Sequence, residues 1–130
     1  MRYYKITYVV SFIILSYSCT YDVAEPVIVC KTPDTISFGR DIIPILNAEC
    51  NTNGCHSGNS PSGGLNLEQA FAYKELMKSG SGYIDTVITK YSVLYAQMNS
   101  KSNPMPPKGK LDACKIDLVF KWIQQRAKNN

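Results

Sequence analysis

Histidine is almost missing from this 130-residue chain: His56 is the only one, and Trp122 is the only tryptophan. A single imidazole excludes any site that needs two from this chain. Long apolar runs are missing too. The stretch Val9 to Leu15 is interrupted by Ser11 and is too short to span a bilayer, which takes roughly 20 residues. There is no internal repeat, so stacked-repeat architectures are set aside. No basic cluster is interleaved with aromatics, and a formal charge of +4 is too weak to argue for nucleic acid. The length allows one small domain.

What is present begins with the first nineteen residues, MRYYKITYVVSFIILSYSC. Arg2 and Lys5 precede a short apolar centre, and small residues precede a cysteine. This is the shape of a secretory signal over residues 1–18. A cysteine at that place also resembles a bacterial lipobox, in which cleavage leaves Cys19 as a lipidated N-terminus. Tyr17 departs from the small residues of the strict pattern, and a plain cleaved signal or an uncleaved anchor are the other readings. Without residues 1–18 the chain has 12 basic and 10 acidic side chains, a net +2. Residues 19–36 hold two prolines and no helical period, and read as a tether. The domain is expected over 37–130.

The domain reads as mostly α, with long loops. FGRDIIPILNAEC predicts a first helix with Asp41 as N-cap, Pro44 in the first turn, and an apolar face from Ile42, Ile45 and Leu46. LEQAFAYKELMKSG predicts a second helix, with Leu67, Phe71 and Leu76 inward and Gly80 as its stop. The segment from Gly80 to Tyr91 is ambiguous. Ser92 is expected to cap a short helix, VLYAQM. The clearest helix follows Asp112, its expected N-cap, with Ile116, Val119, Phe120, Ile123 and Ala127 on one face and Leu118 and Trp122 widening it. Tyr73, Tyr83, Tyr91 and Tyr95 read as core or pocket walls.

The chemistry concentrates in CNTNGCH, residues 50–56. Cys50 and Cys55 lie either side of four small residues, one of them Gly54, and His56 follows at once. Covalent haem attachment needs two thiols for the vinyl groups and an imidazole for iron, with the histidine next to the second cysteine. The same stretch admits two other readings. One is a zinc site with Cys30 or Cys114 as the fourth ligand; the other is a hairpin disulfide. If haem binds, the far side of the iron needs a ligand other than histidine, and methionine is the natural choice. Met77 and Met98 fall in helical stretches and read as core. Met105, in Asn-Pro-Met-Pro-Pro, is held by prolines on a loop and is preordered to reach inward. Lys108 is a remote alternative ligand. In an exported protein Cys30 and Cys114 are expected to pair as a disulfide.

These residues resemble a family. SFGRDIIPILNAECNTNGCHSG, GGLNL, NPMPPKGKL and IDLVFKWIQQRAKNN are similar to the small bacterial cytochrome c domains of exported lipoproteins, over about residues 36–130. The resemblance implies a cytochrome c-like helical domain around one covalent haem c. It implies that Cys50 and Cys55 attach the haem, that His56 is the proximal iron ligand and Met105 the distal one, and that the Trp-Ile helix packs across the first. One departure is Gln125-Arg126-Ala127, which stands where a small Gly-Ala pair is common. The expected role is an electron carrier between exported redox partner proteins, working through an exposed haem edge and anchored to a membrane by lipid on Cys19, on the periplasmic side or in the cell envelope. No enzymatic activity and no small-molecule substrate are expected, since no acid/base pair accompanies the motif. Lys101, Lys108, Lys110 and Lys115 gather near the distal loop as a solvated face, or as one that meets an acidic partner. The alternatives are a zinc- or disulfide-stapled lipoprotein binding module without haem, and a haem sensor or enzyme with an open iron site.

Overall fold

The computed structural model describes residues 28–130. The expected signal, Cys19 and the chain up to residue 27 lie outside the described residues. The domain is helical, as expected, with no strand among the described residues. A π-helical turn over Phe38–Ile42 runs directly into α1, Ile43–Glu49. Three more α-helices follow: α2 over Ala72–Leu76, α3 over Val93–Asn99 and α4 over Ala113–Gln124, with short 3₁₀ turns at Ser62–Gly64 and Thr89–Tyr91. No helix among the described residues is long and apolar enough to cross a membrane.

The chain enters its first helix four residues earlier than expected. Ser37, not Asp41, is the N-cap, and its hydroxyl accepts from the Arg40 amide at 3.2 Å. Asp41 instead reaches back, and its carboxylate accepts from the Ser37 amide at 2.7 Å. Between them the two side chains satisfy the Arg40 and Ser37 amides, in the manner of a capping box. The Arg40 guanidinium, 2.8 Å away, holds the Asp41 carboxyl below the usual carboxylate range. The stability this contributes is present above the ordinary aspartate range and is lost as pH falls through the lowered value. Pro44 sits in the first turn of α1, where its missing N–H is no loss. The wide π turn before it also leaves room for the proline ring, which would otherwise press on the Arg40 carbonyl four residues back.

α4 supplies much of the core. Asp112 caps it as expected, its side chain accepting from the Cys114 amide at 2.9 Å. Ile116, Val119, Trp122 and Ile123 are buried, together with Ile36, Phe38, Ile42 and Leu46 from the start of the domain. Trp122 lies against Phe38 with ring centroids 5.1 Å apart and donates its indole N–H to the Lys128 carbonyl. Phe38 in turn meets Tyr73 edge-on at 5.2 Å. Phe120 is only half-buried and pairs with Tyr95 of α3 at 4.6 Å. α4 ends in a Schellman motif: the Ala127 amide donates to the Trp122 carbonyl and the Arg126 amide to that of Ile123. The reversal swings Ala127 into the core, so it is buried by the cap and not by the helix face on which it was expected. It also places Arg126 at φ 72° and Ala127 at φ 45°, in the left-handed region that glycine prefers.

The Cys30–Cys114 disulfide forms, joining residues 84 apart in sequence. It lays part of the expected tether along α4. Lys121 Nζ bonds Thr32 Oγ1 at 2.8 Å, and the Gln125 side chain both accepts from the Ile36 amide at 2.9 Å and donates to the Asp34 carbonyl at 2.8 Å. Ile36, placed in the tether by composition, is 1% exposed and belongs to the core.

Other local expectations fail. The second helix covers only Ala72–Leu76; in the stretch before it the Leu67 amide donates to the His56 carbonyl, the Glu68 amide to the Asn66 side chain, and the Phe71 and Ala72 amides to the Glu68 carbonyl. Leu67 and Leu76 are buried as expected, but Phe71 is 50% exposed, and Met77 is exposed instead of core. The helix stops at Met77, before Gly80. Ser92 precedes α3 but makes no side-chain cap; its hydroxyl is buried against the Asp85 backbone, accepting from its N–H at 2.8 Å and donating to its C=O at 3.2 Å. Tyr91 is exposed, not a wall.

Two outcomes are expected. Arg126 is exposed, so Arg126→Gly removes backbone strain without touching the core; it raises stability by up to about 1 kcal/mol, read as a higher Tm, while Arg126→Ala gives no such gain. Replacing Cys30 and Cys114 together by serine lowers stability by roughly 2–5 kcal/mol in denaturant unfolding.

Candidate functional site

The CNTNGCH stretch leaves α1 at its last turn. Cys50 is the C-cap, and its amide and that of Asn51 both donate to the Leu46 carbonyl at 2.9 Å. The loop then closes on itself, with the His56 amide donating to the Cys50 carbonyl at 3.1 Å and the Cys55 amide to that of Thr52 at 2.9 Å. The turn needs one left-handed residue, and Gly54 supplies it at φ 80°. From His56 the chain folds back a second time. Leu67 donates to the His56 carbonyl at 2.8 Å, and Ser62 to that of Cys55 at 2.8 Å. Gly63 and Gly64, at φ 63° and 71°, make the corner that returns Leu65 beside the imidazole.

That return fixes the histidine. His56 Nδ1 lies 3.2 Å from the Leu65 carbonyl oxygen. A carbonyl only accepts, so Nδ1 carries a proton, and in the neutral imidazole the lone pair is then on Nε2. This is the arrangement a metal-ligating imidazole takes, with its other nitrogen tied to the backbone.

Cys50, Cys55, His56 and Met105 all line one cavity of ≈ 350 Å³. Its walls are largely apolar. Leu65 and Leu67 come from the loop, Leu76 from α2, Val93, Leu94 and Met98 from α3, and Pro106 and Pro107 follow Met105. The methionine loop is fastened to α3, since the Met105 amide donates to the Gln97 carbonyl at 3.0 Å. Cys50 and Cys55 are both free thiols, so no hairpin disulfide joins them. Burial, with smaller contributions from the charges of Glu49 and Cys55, pushes the Cys50 thiol up to about 11. Thr52 Oγ1 is 3.3 Å from Cys55 Sγ. Among the described residues, no group of three or more His, Cys, Asp and Glu gathers as a metal-ligand cluster. Cys30 and Cys114 are held in their disulfide, far from supplying a free thiolate.

The sequence-based candidates thus meet, with additions. Met98, read as core, is 1% exposed and also lines the cavity. Leu94 and Met98 stand one helical turn apart, and that spacing was the available signal. Glu49 lines the cavity as well; its sequence position, at helical spacing with Ile42, Ile45 and Leu46, marks it as the polar member of that face and gives it no site role. Met77 and Lys108 do not line it. Comparison with protein-family models, with curated proteins and with solved structures finds no match to this chain.

A raised Cys50 thiol has a measurable consequence in chain made without any attached group. At pH 8 only roughly a thousandth of Cys50 is thiolate if its pKa is about 11. Alkylation of native Cys50 by iodoacetamide is therefore slow at pH 8, accelerates as pH rises toward 11, and is much faster at pH 8 in urea. The same shift stabilises the fold below the unfolded thiol value, and that contribution is lost as pH rises through about 11.

Proposed function

We propose that the chain is a mono-haem c-type cytochrome, an exported electron carrier. The observation that carries this reading is the meeting of Cys50, Cys55, His56 and Met105 on the walls of one apolar cavity. The donor set fits the group: two free thiols, an imidazole with Nε2 available, and a thioether. Cys50 and Cys55 would hold haem c through thioether bonds, with His56 and Met105 as iron ligands. Bound haem supplies a one-electron ferrous/ferric couple, and a His/Met ligand pair favours a raised potential.

The chain's own residues do the rest. The Leu65 carbonyl orients His56 and keeps its proton off Nε2. The leucines and prolines of the walls would keep water from a bound haem, which favours a raised potential. Pro106 and Pro107 limit the motion of the Met105 loop, and Gln97 fastens it to α3. A domain of this size buries little surface for its length, so a large apolar group in its middle would add to the core. The fold is then that of a cytochrome c-like domain. The reading includes export, a lipid on Cys19, a periplasmic or envelope location, and transfer to a redox partner protein with no substrate turned over. Zinc is the weaker alternative because the disulfide takes both cysteines that would complete its ligands.

Expression in cells competent for cytochrome c maturation tests the proposal. The expected result is a pyridine haemochrome spectrum of haem c that survives denaturing electrophoresis as covalent stain; no covalent haem overturns it. Because Met98 also lines the cavity, the distal ligand is tested by two variants. Met105→Ala should abolish the far-red sulfur-to-iron charge-transfer band, and Met98→Leu should leave it; the reverse pattern assigns Met98.

A further inference from the structure

Of the residues that line the cavity, Glu49 alone carries a carboxylate or a fixed charge. Its side chain is about a quarter exposed, so water screens it only in part. It is not left alone. Lys115 Nζ forms an ion pair with Glu49 Oε1, across 66 residues of sequence. Lys115 is in the first turn of α4, next to Cys114, and Cys114 is bonded to Cys30. The disulfide and the Asp112 cap therefore fix the turn that presents the lysine to the end of α1.

A carboxylate beside an apolar cavity costs free energy unless a cation or hydrogen bonds compensate it. Its field also acts on whatever the cavity holds, and in a poorly hydrated site that field is strong. Glu49 adjoins Cys50, and its charge already contributes to raising that thiol. Resting on the electron-carrier reading, we propose that Glu49 and Lys115 form a tuning pair: Glu49 stabilises the more positive oxidation state of the bound group, and Lys115 offsets it, so that the pair sets the reduction potential. Neither is a ligand. Both are positioning charges held by the contact between α1 and α4.

The test uses covalently loaded protein and three variants: Lys115→Met, Glu49→Gln and the double substitution. Lys115→Met leaves an uncompensated carboxylate, so at a fixed solution potential the ferric:ferrous ratio rises severalfold. Glu49→Gln leaves the cation, and the ratio falls. The double variant returns toward the parent, because it removes the two opposing charges together. Both single variants shifting the ratio in the same direction, or neither shifting it, overturns the proposal. Thermal unfolding of each variant separates this from a purely structural bridge, which lowers Tm in both singles without opposite shifts in potential. A second readout needs no haem: in the apo chain, iodoacetamide alkylates Cys50 faster in Glu49→Gln and slower in Lys115→Met. If no haem attaches at all, the electron-carrier reading fails, while unchanged Cys50 rates in both variants overturn the charge pair.

Discussion

Everything about the candidate site depends on how the chain between Cys50 and Leu67 spends its backbone hydrogen bonds. Three of them, Cys50 to His56, His56 to Leu67 and Cys55 to Ser62, fold two turns of loop onto each other. Buried or half-buried amides must find partners, and here they find them inside the motif. The two thiols and the imidazole are thereby delivered to one cavity. The bond from His56 Nδ1 to Leu65 then sets which ring nitrogen is available.

The helices serve as a frame for that loop. α1 ends at Cys50, so the site starts where a well-packed element stops. α3 lines the cavity through Leu94 and Met98, and also provides the Gln97 carbonyl that holds the Met105 backbone. α4 touches the cavity only indirectly. It packs on the π turn through Trp122 and Phe38, and it reaches the cavity edge through Lys115 and Glu49. The N-terminal strap, from Cys30 to Ile36, is bonded along α4.

Strain is confined to places where it has an identifiable partner. Gly54, Gly63 and Gly64 take the left-handed turns of the site at no steric cost. Arg126 takes the same conformation at the end of α4 without that freedom, and is held there because Ala127 must turn back into the core. The cap is thus bought with backbone strain at an exposed position, where the arginine side chain meets nothing that opposes it.

Much of this was legible in the chain itself. The cysteine and histidine spacing, the proline-framed Met105, the pairing left over for Cys30 and Cys114, and the helix after Asp112 all rest on local chemistry, which sequence displays directly. A helical domain followed from the period of its apolar residues. What the sequence could not display was long-range: that Ile36 belongs to the core, that Phe71 and Met77 face outward, that Met98 shares the cavity with Met105, and that Glu49 is there too with Lys115 against it. Each of these is decided by which groups meet across tens of residues. The reason is physical: periodicity records which residues avoid water, while hydrogen-bond competition and packing between distant elements decide which of them face one another.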